Sequence, residues 1–188
     1  MTAAPAPLPV DIANLMWLLP VVFMLHDFEE IIMIKPWLAR GLPAIQERYP
    51  RLARLIAGST GGLSQPAFAL IVAEEFVIIS LLTWLAVAAS NLTLWLALLM
   101  GFFVHLLMHI GQFIAARAYV PVILTSPPAA AYCLYAAWQI NQLYPIDWPK
   151  IWLWSAAVAA LIVINLAAAV RLAKGFDAWL QTHFSAAT

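Results

Sequence analysis

Long apolar runs separated by short polar turns make up most of the chain. A membrane-crossing helix needs about 20 mostly apolar residues at about 1.5 Å each. Five stretches meet that requirement: residues 12–34, 66–89, 92–116, 120–140 and 151–170. The runs are continuous and lack the alternation of barrel strands. The pattern therefore predicts an all-α polytopic membrane bundle of five transmembrane helices. The first run is interrupted by His26-Asp27-Phe28-Glu29-Glu30, but Leu15 to Leu25 and Ile31 to Ile34 flank the patch. Met1 to Pro5 holds no Lys or Arg. A secretory signal peptide opens with positive charge, so the first run is expected to stay as a helix.

The connections follow from turn chemistry. Ser90-Asn91 reads as a tight turn, 141–150 as a loop with two prolines, and Ser64 as an N-cap. Pro20 and Pro127-Pro128 are expected to bend helices one and four. Within loop 35–65, Leu52, Leu55 and Ile56 oppose Arg51 and Arg54, which predicts a short interfacial helix starting at Pro50. Gly58-Ser59-Thr60-Gly61-Gly62 reads as a hinge. No internal repeat is visible, so residues 1–188 read as one transmembrane domain.

Composition sharpens this. Of 188 residues 65% are hydrophobic and 10% charged, and the mean hydropathy is +0.91. Soluble domains are about half apolar and about a quarter charged, so a soluble enzyme, a nucleic-acid binder and a disordered chain are all excluded. The charges balance, nine against nine, and only their placement informs. Lys35, Arg40, Arg48, Arg51, Arg54, Arg117, Arg171 and Lys174 fall on one side of five alternating spans, and Lys150 on the other. Positive charge marks the cytoplasm. The N-terminus is then outside, loop 35–65 is cytoplasmic, and so is the tail 171–188. Trp95, Trp138, Trp148, Trp152 and Trp154 would form an outer belt, with Trp37 and Trp179 at the inner face. Cys133, the single cysteine, reads as a packing thiol.

The acids carry the chemistry. Asp27, Glu29, Glu30, Glu74 and Glu75 lie inside expected spans, as do His26, His105 and His109, while no Lys or Arg does. A charge at the bilayer centre costs at least about 2.5 kcal/mol. Protonation, water or a bound cation must offset it. At 1.5 Å per residue from the cytoplasmic boundary, Glu30 and Asn165 lie about 8–9 Å deep, and His26, Glu74 and His109 about 12–13 Å. His105 lies about 18 Å deep. Most of these share a layer in the cytoplasmic half. His26, Glu29, Glu30 and Met33 share one helical face; His105, His109 and Gln112 share another. Glu74 and Glu75 diverge by about 100°, so one of the two faces the centre. Asp27 points off the His26 face, as a partner for an imidazole or a wet residue at the kink.

His26 to Glu30 reads HxxEE. Here the chain resembles the HXXEE family of small bacterial membrane proteins, named for this motif. Pro36-Trp37, the acidic pair Glu74-Glu75, His105 with His109, and Arg117-Ala118-Tyr119-Val120-Pro121 are similar too. The resemblance implies an integral protein of the bacterial cytoplasmic membrane with a polar site. It implies no reaction.

The spacing itself is similar to inverted zincin motifs, where ligands stand at i and i+4 and a glutamate at i+3 acts as base. His26, Glu30, His105 and His109 are then candidate ligands for a divalent metal, zinc favoured and iron as the other choice. Glu29 or Glu74 would take a proton from metal-bound water. Asp27, Glu75, Gln112 and Asn165 would stand behind the ligands or orient a substrate. Each group has a plainer reading: a solvated face for HxxEE, interhelical hydrogen bonds for the histidines, protonated acids for Glu74 and Glu75. Thr125 and Ser126 read as cap or kink residues, and His183 as a solvated tail residue.

Three functions remain. A metal-dependent hydrolase acting on a lipid-linked or peptide bond leads. The EExxxR pattern of intramembrane CAAX-type proteases is absent, since Ile34 and Ile79 stand where Arg would fall. A di-iron oxidase is a variant, although paired Glu-x-x-His motifs are missing. A cation or proton transporter or sensor is the alternative, and it would need a homo-oligomer.

Overall fold

A computed structural model of the chain describes residues 8–48, 50, 51, 54 and 60–184. Among the described residues it is all-helical and holds no strand. Five helices follow in order: α1 Val10–Arg48, α2 Gln65–Ala88, α3 Leu92–Ala116, α4 Ser126–Leu143 and α5 Trp148–Phe184. A 3-10 turn, Thr60–Gly62, precedes α2. Three helices, α2, α3 and α5, are long and apolar enough to cross a membrane. α1 carries the HxxEE acids, and α4 has only 18 residues.

The ends obey local chemistry. Ser64 Oγ accepts from the Ala67 N–H, and Asn91 Oδ1 from that of Leu94, so both cap as N-caps do. The Ser90-Asn91 turn is tight, with Ser90 at φ 50°.

Three boundaries differ from expectation. α1 continues through Lys35, Pro36 and Pro43 to Arg48, into the expected loop. α5 continues past Val170 to Phe184, so the expected tail is largely helical. At 37 residues it measures about 55 Å, longer than the bilayer core of about 30 Å. Its C-terminal part carries Arg171, Lys174 and Asp177. α4 begins at Ser126 and not at Val120, because Pro127 and Pro128 occupy its first positions. There the missing N–H costs nothing, so the pair starts the helix and does not bend it. Pro50, Arg51 and Arg54 are helical, whereas Leu52, Leu55 and Ile56 lie outside the described residues, as do Gly58 and Ser59.

Packing follows helical stripes. On α1, Ile12, Met16, Leu19 and Phe23 recur every three or four residues and are buried. On α3, Trp95, Leu99, Phe102 and Leu106 do the same. These stripes meet in one core, which also takes in Ala129, Cys133, Ala136 and Ile140 of α4. Small residues on α4 allow close approach. α1 packs between α2 and α4, and α3 packs on α4 and α5.

Trp95 corrects the expected belt. It is fully buried, and its Nε1 donates to the Met16 carbonyl at 3.2 Å. Pro20 lacks the N–H that this carbonyl would bind in a regular helix. The indole fills the vacancy four residues upstream of the proline. Trp138, Trp152 and Trp154 are exposed.

Candidate metal centre

The buried stripes of α1 and α3 end in histidines. Three residues after Phe23 comes His26; three and seven after Phe102 come His105 and His109. The apolar seam thus passes directly into a polar one. Phe102 marks the border, edge-on to His26 at 5.7 Å and stacked on His105 at 6.3 Å between centroids.

His26, His105 and His109 offer ligand nitrogens that all lie within 4.8 Å of one another. The Nε2 atoms of His105 and His109 are hydrogen-bonded at 3.1 Å, so without a metal one proton lies between them, and an ion would take its place. Two nitrogens at that separation, each about 2.05 Å from one ion, subtend an angle of about 98°, near tetrahedral. His109 Nδ1 lies 3.2 Å from Gln112 Oε1. An amide oxygen only accepts, so Nδ1 carries the proton and Nε2 offers its lone pair.

His26 is fully buried. Its Nδ1 meets Thr125 Oγ1 at 3.2 Å, and its Nε2 has no partner. Buried polar atoms are ordinarily bonded. This one is unpartnered in a helix bundle where two other imidazoles converge.

Glu29 does something else. Its Oε1 accepts from Tyr119 Oη at 2.8 Å and from the Leu124 N–H at 3.4 Å. Its Oε2 accepts from the Thr125 N–H at 2.9 Å and from Thr125 Oγ1 at 2.8 Å. Both oxygens therefore hold the segment between α3 and α4. Trp37, two turns further along α1, holds the same segment by donating to the Tyr119 carbonyl at 2.9 Å. Glu29 is still an electrostatic neighbour of His109. Tyr119 stands outside the helices; burial and then the Glu29 carboxylate push its phenol up to about 12.

Glu30 lies outside the histidine group. It neighbours Asp27 and Glu75 electrostatically. Successive residues diverge by about 100° on a helix. Since α1 is flanked by α4 and α2, Glu29 turns to the α4 side and Glu30 to the α2 side. The same divergence separates Glu74 from Glu75. Glu74 Oε2 accepts from Asn165 Nδ2 of α5 at 2.9 Å. Of the four expected ligands, the structure brings the three histidines together, and Glu30 is not among them. Asp27 is buried, and among the described residues no hydrogen bond joins it to an imidazole. Thr125 takes the role expected of it. Thr125 makes no side-chain cap bond for α4, and Ser126 Oγ donates to the Val122 carbonyl at 2.7 Å.

A sequence-family profile described as "Protein of unknown function with HXXEE motif" matches residues 17–136. That is well over half of the chain. The chain belongs to the HXXEE family. The matched region of this HXXEE protein runs from α1 into α4 and contains all three histidines, Glu29, Tyr119 and Thr125. No curated protein matches the chain. No solved structure matches it either.

Thr125 and Tyr119 are the residues at this site that residue type alone did not single out. The available signal was the segment Arg117 to Pro121, which shares the family pattern with Pro36-Trp37. The structure joins those two features through Trp37 and Tyr119.

Proposed function

We propose that this HXXEE protein crosses the bacterial cytoplasmic membrane five times, N-terminus outside, and binds one divalent cation in its cytoplasmic half. His26, His105 and His109 are the ligands, and zinc is the favoured ion. The observation that carries this is the unpartnered Nε2 of His26, fully buried within reach of two further imidazoles. Three neutral histidines with no carboxylate among them leave a fourth position open, the arrangement of hydrolytic zinc. Bound there, the ion would supply Lewis acidity and an activated water. Gln112 is exposed, and its amide N–H₂ group has no hydrogen bond among the described residues, so it is available to a substrate oxygen. The reaction class is hydrolysis of a lipid-linked or peptide bond reached from the bilayer.

A di-iron centre fits less well. It needs carboxylates bridging the metals, and Glu29 and Glu74 are engaged elsewhere. Transport through one chain also fits less well, because Trp95, Leu96, Leu99 and Met16 close the core beyond the histidines.

The test is metal content of the full chain, purified in detergent without chelators. About one zinc per chain is expected, lost in His26→Ala and in His105→Ala. Two irons per chain would replace the hydrolase with an oxidase. A folded wild type that takes up no metal after reloading would overturn the site. Chelator-sensitive cleavage within a panel of lipid-linked and peptide substrates then tests the reaction class.

A further inference from the structure

We propose that Thr125, held by Glu29, is a positioning residue that fixes the His26 imidazole with its proton on Nδ1 and its lone pair on Nε2. This explains the spacing in HxxE: the histidine and the glutamate three residues later do not bind the same ion. They meet through a hydroxyl brought by the segment that leads into α4. The inference rests on the metal reading for its purpose, though not for its geometry.

Thr125 Oγ1 lies 2.8 Å from Glu29 Oε2, 3.2 Å from the Val122 carbonyl and 3.2 Å from His26 Nδ1. The hydroxyl has one proton to give. The carboxylate oxygen and the carbonyl oxygen can only accept. A hydroxyl oxygen at 2.8 Å from a carboxylate oxygen needs a proton between them, and charge-assisted bonds are the stronger ones. All four contacts of Glu29 come from donors, which suits an acceptor-only carboxylate. The hydroxyl therefore donates to Glu29 and accepts from His26, so Nδ1 carries the imidazole proton. The opposite tautomer would turn the hydroxyl proton toward His26 and leave two bare oxygens 2.8 Å apart. It follows that Nε2, the buried atom without a partner, is a lone pair and not a stranded N–H. Metal-bound histidines generally have their second nitrogen held in this way.

The segment is built to hold Thr125 there. Val122 adopts φ 66°, a conformation that disfavours a β-branched residue. Strain of this kind survives only where the surroundings over-determine it. Here the surroundings are the grips of Glu29 and Trp37 on residues 119–125, with the Val122 carbonyl accepting from the N–H and Oγ of Ser126.

The experiment reads the tautomer without a metal. The ¹⁵N side-chain resonances of metal-free full-length protein in detergent are assigned to His26 by comparison with His26→Ala. The wild type should show a protonated Nδ1 and an unprotonated Nε2. Thr125→Ser should keep that pattern; Thr125→Val should lose it and weaken zinc binding about 10–100-fold. Glu29→Gln supplies a second perturbation that leaves Thr125 in place, and it should weaken the preference. A wild-type His26 protonated on Nε2 would overturn the proposal, as would an unchanged tautomer in both Thr125→Val and Glu29→Gln. The expected tautomer pattern in a protein that binds no zinc would overturn the metal reading and leave the positioning intact.

Discussion

Replacing His26 by Leu separates the cost of the buried imidazole from its purpose. The Nε2 atom is buried without a partner, and an unsatisfied buried polar group costs about 1–3 kcal/mol. Leucine is of similar size and removes that cost. It also removes the contact with Thr125, a neutral hydrogen bond of net value about 0.5–1.5 kcal/mol. Thr125 retains Glu29 and Val122 as acceptors. The opposing effects leave metal-free His26→Leu between about as stable as wild type and about 2 kcal/mol more stable. Zinc reverses the order. At about 100 times its Kd it stabilises the wild type by about 2.7 kcal/mol. In a chain of this size that is a rise of about 5–11 °C in Tm. The variant, with two histidines left, should show no rise. The assay is thermal unfolding in detergent by circular dichroism, with chelator and with zinc. A metal-free variant that loses about 3 kcal/mol or more would show that Nε2 is satisfied in the molecule, and the reasoning fails. A variant that keeps the zinc-dependent rise would place the ion elsewhere.

Trp95→Phe should destabilise by about 1–3 kcal/mol by orphaning the Met16 carbonyl, and the loss should shrink in a Pro20→Ala background, where a backbone N–H returns at position 20. Equal losses in both backgrounds, by denaturant unfolding, would refute the pairing of indole with proline. Asp177 accepts from the Ser64 N–H at 3.0 Å; the Ser64 side chain and then that N–H hold its carboxyl below the ordinary 3.8, with help from Lys35. A depressed carboxyl stabilises above its unfolded value and loses that contribution as pH falls through the folded one. Exchange protection of the Ser64 amide should therefore persist at neutral pH, fade below about pH 4, and be absent in Asp177→Ala. Tyr119 is raised to about 12, so its grip on Glu29 persists below the unfolded tyrosine range and is lost as pH climbs through that value. The phenolate absorbance difference between wild type and Tyr119→Phe should have its midpoint near there, and Glu29→Gln should move it down.

Periodicity made much of this molecule legible. A stripe at three- and four-residue spacing needs only one helix to be recognised, and the α1 stripe from Ile12 to His26 continues unbroken from apolar to imidazole. The same holds for Trp95 to His109 on α3. Depth counting then placed both histidine groups in one layer, because rise per residue is constant whatever the helix packs against. Boundaries were harder where a residue has two uses. Pro127-Pro128 could bend a helix or begin one, and only the non-helical segment before Ser126 decides it. Trp95 could sit in lipid or answer a carbonyl freed by a proline on another helix, and its own neighbours in sequence do not distinguish the two.

The partition of the acids was the part that periodicity could not carry, and its cause is angular. A step of one residue turns a side chain by about 100°, enough to pass from one neighbouring helix to the next. Glu29 and Glu30 therefore serve different partners although the motif writes them as a pair, and so do Glu74 and Glu75. Which carboxylate meets which partner depends on the order of helices around α1 and α2, a long-range property. Thr125 is illegible for the same reason: it is 96 residues from Glu29 and 99 from His26. Yet its position has a local consequence that can be checked against chemistry. A hydroxyl with one proton cannot satisfy a carboxylate and an unprotonated imidazole nitrogen together. The turn before α4 that supplies Thr125 thereby determines which nitrogen of His26 is left facing His105 and His109.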